Sequence, residues 1–142
     1  MVGDDVIGKD GRVTISFAAV GAITLFVDDP QVSKRWYEHT FERRVVYEDD
    51  DSAVISFDNT LVNLLRRSAA HSLIAPAPVA AGGTAAAMQF TIWVDDADAA
   101  CEAVQARGVT LLNGPIDRPW GQRTACFADP DGHIWEIAQT IS

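Results

Sequence analysis

The chain is short of positive charge, of cysteine and of long apolar runs, and each shortage narrows what it can do. With 11 Lys and Arg against 20 Asp and Glu, its net charge is −9, which repels a phosphate backbone and an anionic membrane surface. Neither nucleic acid nor a membrane is therefore expected as a partner. The same acidity serves solubility, or sets up a field that favours a cationic ligand. The uncharged run Phe17 to Val27 falls short of the roughly 20 apolar residues that a membrane span requires. No segment has the pattern of a secretory signal. The two cysteines, Cys101 and Cys126, lack metal-type spacing and lie in a helical and a strand pattern. They read as buried free thiols of a reducing cytoplasm.

What is present suffices for one domain spanning residues 1–142, since 48% of the 142 residues are hydrophobic and chains of this length commonly fold around one core. Within it the sequence repeats itself. Ile23-Thr24-Leu25-Phe26-Val27-Asp28-Asp29 matches Phe90-Thr91-Ile92-Trp93-Val94-Asp95-Asp96 at an offset of 67 residues with four identities. Each copy is an alternating strand pattern that runs into an aspartate pair and then a helical segment. In the first, Asp29 is placed to cap the helix and Pro30 to open it. That helix runs to about Thr40, with Val32, Trp36 and Thr40 on one face beside Tyr37 and Phe41. In the second, Ala97, Ala100, Cys101 and Val104 form a narrower stripe, and Gly108 stands where a left-handed terminal residue is wanted.

Three strand-like segments follow each helix: Arg43 to Glu48, Ser52 to Phe57 and Thr60 to Leu65, then Thr110 to Leu112, Arg123 to Ala128 and Ile134 to Thr140, with polar or glycine-containing breaks between them, Asn113 to Gly121 among these. The order βαβββ, written twice, predicts an α+β fold of two modules, about 20–66 and 88–140. Residues 67–87 join them, and Ala69 to Ala87, rich in Ala, Pro and Gly, reads as a mobile connector or flap that packs no element of its own. Met1 to Gly11 reads as a solvated tail, and Arg12 to Ala18 as an added edge strand.

Alternation separates the two faces of each strand. Met88, Phe90, Ile92 and Val94 form an apolar row for the core, leaving Gln89, Thr91 and Trp93 opposite. Likewise Ile23, Leu25 and Val27 oppose Ala22, Thr24 and Phe26. Each closing strand carries one central polar residue, Asn63 in the first copy and Glu136 in the second. A carboxylate among apolar neighbours on a sheet is costly without solvent, a partner or a ligand, so Glu136 is the sharpest pointer to a site.

The stretches Leu25-Phe26-Val27-Asp28-Asp29 with Trp36-Tyr37-Glu38, and Asp129-Pro130-Asp131-Gly132-His133-Ile134-Trp135-Glu136, resemble the glyoxalase, bleomycin-resistance and extradiol-dioxygenase superfamily, also called the vicinal oxygen chelate fold. The resemblance covers about Ile23 to Gln139. It implies that each module folds into a half-barrel of mixed strands around a concave cavity, and that two chains pair as a homodimer. Metal-holding relatives draw ligands from the first and last strands of each module, at places that fall here on Ala22, Asn63, Gln89 and Glu136. Ala22 has no donor atom and Asn63 only a neutral amide, a poor ligand for a divalent transition ion. His39, His71 and His133 lie elsewhere. No cofactor is expected, and a divalent metal would have only Gln89 and Glu136 to hold it. Relatives carry Gly where Glu42 stands, which points to a positive φ there.

Extradiol dioxygenases of this superfamily need two His and one carboxylate around iron, and with Ala22 and Gln89 at the decisive places that chemistry is disfavoured. Two readings remain. One is metal-independent capture of a small organic ligand, cationic or aromatic, as in relatives that sequester drugs and so give antibiotic resistance. Phe26, Trp93 and Trp120 would supply flat surfaces, and Thr24, Asn63, Gln89, Thr91 and Glu136 polar contacts. The other is a glyoxalase-like lyase or isomerase with Glu136 as general base. Arg123, after Trp120-Gly121, would hold an anionic group or pair with a surface carboxylate. Trp36 and Trp135 belong to the core, whereas Trp93 and Trp120 fit either core or ligand contact.

Overall fold

The computed structural model describes residues 6–83 and 85–141. A hairpin of β1 (Val6–Ile7) and β2 (Val13–Thr14) precedes the first βαβββ unit, made of β3 (Ala22–Val27), α1 (Pro30–Phe41), β4 (Arg44–Glu48), β5 (Ser52–Ser56) and β6 (Leu61–Arg66). Helix α2 (Arg67–Ile74) follows, and the second unit comprises β7 (Gln89–Trp93), α3 (Ala97–Ala106), β8 (Asn113–Arg118), β9 (Gln122–Ala128) and β10 (Ile134–Thr140). Each unit forms one four-stranded, unclosed mixed sheet, in the orders β3-β6-β5-β4 and β7-β10-β9-β8. The α+β plan of two βαβββ modules is thus the fold. The first and last strands of each unit are parallel neighbours, so Thr24 aligns with Asn63 and Thr91 with Glu136.

The helix signals act as expected. Asp29 Oδ1 accepts from Gln31 N at 2.9 Å to cap α1, and Asp96 Oδ1 accepts from Ala99 N at 3.0 Å to cap α3. Glu42 ends α1 in the left-handed region at φ 52° and ψ 39°, a conformation that costs an L-residue about 1 kcal/mol. Arg107, just past α3, braces that turn by donating to Thr40 O at 2.8 Å and Glu42 Oε1 at 2.7 Å.

One aromatic core serves both units. Phe57 stacks on Trp135 with centroids 5.7 Å apart, and Trp36, Tyr37 and Phe41 of α1 meet Phe127 or Trp135 of the second sheet. At its centre the buried Tyr37 hydroxyl donates to Asp129 Oδ2 at 2.6 Å and accepts from Trp135 Nε1 at 3.0 Å. Burial, then the neighbouring Asp129 charge, pushes the phenol well above its usual range. Burial also raises the Asp129 carboxyl, against the hydrogen bond from Tyr37. This contact corrects the expected stripe of α1: Ser33, Tyr37 and Thr40 are buried, while Val32 is 44% exposed. The helix is turned about one residue because Tyr37 reaches Asp129 and Ser33 Oγ donates to Asp131 Oδ2 at 3.2 Å, both in the second unit.

Four other expectations change. The connector contains a packed helix, α2, with Ala70 buried. Its first residue, Arg67, donates to Asp28 Oδ1 at 2.8 Å and to Ala80 O at 2.9 Å, tying the segment to the first unit; Thr84 of that segment lies outside the described residues. The strand expected at Thr110 to Leu112 lies instead at β8, where Gly114 and Pro115 read as a break. An edge strand tolerates Pro because one side of its backbone needs no partner, and β8 is an edge. The strand expected at Arg12 to Ala18 shrinks to β2, which pairs with β1; Met1 to Asp5 of the expected tail lie outside the described residues. Met88 precedes β7 and is 58% exposed, outside the core row.

Candidate functional site

The second sheet turns its chemistry away from the shared core. Phe90 and Ile92 pack inward, whereas Gln89, Thr91 and Trp93 are exposed on the opposite face. On β10 the buried Trp135 and Ile137 hold Glu136 on that same face. The ladder register extends the row, with Thr91 aligned to Glu136, Glu136 to Cys126 and Cys126 to Asn113. One line across the sheet therefore presents a hydroxyl, a carboxylate, a thiol and an amide. The next line is Trp93, Ala138, Thr124 and Ile116, with a small-residue floor between an indole and an aliphatic edge.

Thr91 Oγ1 donates to Glu136 Oε1 at 2.9 Å, so a neighbouring threonine orients the carboxylate. Among the described residues no protein group donates to Oε2. Trp93 is 64% exposed, far more than a core indole. A cleft of about 320 Å³ opens beside Thr91 and Trp93, with Phe57 to Asn59 of the first unit as its far wall.

Of the two places that the sequence left open for Arg123, the structure shows the pair with surface carboxylates. Arg123 shares the phase of Ala125 and Phe127 on β9 and points to the helix side. There it pairs with Asp117 Oδ1 at 2.6 Å and Asp98 Oδ2, on α3, at 3.2 Å. Its hydrogen bond holds the Asp117 carboxyl below the usual range. Arg123 therefore lies across the sheet from Glu136. Arg118, aligned with Gln122, is on the Glu136 face. Trp120 is 65% exposed at the β8–β9 turn, its Nε1 donating to Gln122 Oε1 at 3.1 Å.

Cys126, Asn113 and Arg118 were missed in the sequence. Cys126 was expected to be buried, but it is half-buried beside Glu136. Strand phase would have found it, because Cys126 alternates with the buried Ala125 and Phe127.

Thr24, Phe26 and Asn63 share the corresponding face of the first sheet. Among the described residues no hydrogen bond joins them to Glu136 or its row. Asn63 Oδ1 is buried with no partner among the described residues. The four places that the resemblance implies for a metal, Ala22, Asn63, Gln89 and Glu136, carry a methyl group, two amides and one threonine-bonded carboxylate. Among the described residues no three His, Cys, Asp or Glu side chains come together in a metal-holding group. This donor set does not fit a tightly held divalent metal.

Residues 19–137 match the Glyoxalase/Bleomycin resistance protein/Dioxygenase superfamily. Among solved structures, a glyoxalase/bleomycin resistance protein/dioxygenase from Nocardioides is similar with a TM-score of 0.80 at 20% identity, over 91% of this chain and 87% of that one. A glyoxalase-related enzyme from Fulvimarina pelagi gives 0.72 at 26% identity, over 85% and 87%. Lactoylglutathione lyase from Agrobacterium tumefaciens gives 0.69 at 19% identity, over 86% and 93%. No curated protein matches the chain. Among the described residues no helix is long and apolar enough to cross a membrane. The family match over most of the chain, with the two-unit fold beneath it, places this protein in the Glyoxalase/Bleomycin resistance protein/Dioxygenase superfamily.

Proposed function

We propose that the protein captures a small organic molecule on the open face of its second sheet, without a metal. Trp93 stacks on a flat apolar part of the ligand, and Glu136 receives a basic group. The observation that carries this reading is the pairing of an exposed indole, two residues along β7 from Thr91, with a carboxylate oriented by that threonine. Pockets for small molecules commonly combine apolar surface with a few placed polar groups. A stacked ring contributes about 1 kcal/mol beyond its buried area.

Benzylamine, an aromatic ring with one cationic end, is the simplest probe. Titration calorimetry should show binding that weakens at least tenfold in Trp93→Ala and in Glu136→Gln. Unchanged affinity in both variants would sink the reading.

A second reading, a glyoxalase-like lyase or isomerase with Glu136 as general base, draws on one feature: Glu136 Oε2 has no protein donor among the described residues. Under it Glu136→Gln abolishes turnover while largely sparing affinity. Under capture no lactoylglutathione forms in either protein.

A further inference from the structure

Arg118 differs from the other half-buried cations of the chain. Lys34, Arg43, Arg66, Arg67, Arg107 and Arg123 each meet a carboxylate at 2.6–3.5 Å. With 20 acids to 11 bases, such partners are plentiful. Yet among the described residues Arg118 has no carboxylate partner, and it too is half-buried.

Neutral groups hold it instead. Nε donates to Thr124 Oγ1 at 2.9 Å, Nη2 reaches Asn113 Oδ1 at 3.4 Å, and the guanidinium lies 6.0 Å from the centroid of the exposed Trp120 ring. Thr124 is itself buried, so the contact anchors the side chain without neutralising it. These bonds use two of the five N–H donors of a guanidinium, and the remaining three suit a planar oxyanion. A partly desolvated charge without a counterion is costly, and that cost is offset when an anion docks.

The position is as informative as the charge. Asn113, which Nη2 touches, lies in the same row as Glu136 two strands away, roughly 10 Å at the usual spacing of strands. One face therefore offers a fixed cation and a fixed anion on either side of a small-residue floor, with Trp93 and Trp120 beside them.

We infer that Arg118 anchors an oxyanion of the ligand whose basic end meets Glu136. The ligand class is then an aromatic zwitterion with its charges at opposite ends of a flat ring system. This rests on the capture reading above and adds the anionic end.

The test compares 4-(aminomethyl)benzoate, which carries both charges across one ring, with benzoate and benzylamine, by calorimetry on the full chain. The zwitterion should bind tightest. Arg118→Met should weaken the zwitterion and benzoate at least tenfold while leaving benzylamine within twofold. Equal affinity of the two carboxylates for wild type and Arg118→Met would overturn the role of Arg118, and benzylamine binding that still depends on Glu136 would leave capture intact. Conversely, benzoate that binds through Arg118 while benzylamine does not bind would keep the anion site and remove the Glu136 reading. Binding of no probe would overturn both.

Arginine modification by phenylglyoxal, read by peptide mass spectrometry, serves if Arg118→Met does not fold. In the wild-type protein 4-(aminomethyl)benzoate should protect Arg118 and leave exposed Arg35 and Arg44 reactive. Modification of Arg118 at the same rate with and without saturating probe would overturn the inference.

Discussion

In the first sheet Thr24 aligns with Asn63, and in the second Thr91 aligns with Glu136, each pair on the face turned from the core. The strands, register and threonine are the same. In the second sheet the threonine bonds the carboxylate at 2.9 Å; in the first the amide oxygen is buried without a partner among the described residues. The frame thus supplies the placement, and one residue identity decides whether a face can meet a charged ligand. A second contrast lies within one sheet. Arg118 and Arg123 sit on adjacent paired strands, but opposite phase gives Arg123 two carboxylates and leaves Arg118 with neutral partners.

The strongest way to break the comparison is at Gly114. Its φ is +92°, and an added Cβ would meet the backbone of Thr124 and lie 2.6 Å from the Ala125 Cα. Gly114→Ala should cost on the order of 3 kcal/mol in urea unfolding, from strain and overlap together. It should also displace Arg118. The irregularity in β4, between Val45 and Tyr47, contains no glycine, so Val46→Ala there should change stability by no more than about 0.5 kcal/mol. Similar losses in the two variants would contradict the asymmetry.

Next in size is the tie between the units. Tyr37→Phe leaves Asp129 Oδ2 and Trp135 Nε1 without their shared partner and should cost about 1–3 kcal/mol at neutral pH. Because the folded chain holds the Tyr37 phenol well above its ordinary value of 10.0, the unfolded chain releases that proton first as pH rises. The stability tied to it is complete below pH 10 and is lost progressively above. Thermal midpoints should therefore fall more steeply above pH 10 in the wild type than in Tyr37→Phe. Parallel pH profiles would show that Tyr37 does not carry this dependence.

The smallest effect sharpens the comparison. Asn63→Leu removes a buried oxygen that has no partner among the described residues, so stability should stay level or rise by up to about 1 kcal/mol. Benzylamine affinity should not move. A clear loss of stability would mean that the amide is satisfied in solution by a group that bonds it well.

Much of this architecture is legible before folding is considered. The repeat at an offset of 67 residues, the aspartate caps and the alternation of Gln89 to Trp93 follow from local rules: period-two side chains, orphan amides at helix starts, and breaks at turns. They placed Thr91, Trp93 and Glu136 on one face. The left-handed Glu42 was legible only through the resemblance, because many relatives carry Gly at that place.

The remainder depends on contacts between segments far apart in the chain. Ser33 and Tyr37 are buried because Asp129 and Asp131 of the second unit meet them, and local hydrophobicity alone ranks Val32 above Ser33. Arg67 stabilises a helix in a segment of connector composition by reaching back to Asp28. Gly114-Pro115 resembles a break until pairing with β9 makes it an edge strand, and only that pairing brings Arg118 onto the open face. Sequence by itself determined the repeat, helices α1 and α3 with their aspartate caps, and the phase of β3, β7 and β10, because those are interactions between near neighbours. Tertiary structure alone decided which half-buried arginine stays uncompensated among the described residues, because that depends on which carboxylates pairing and packing bring within reach.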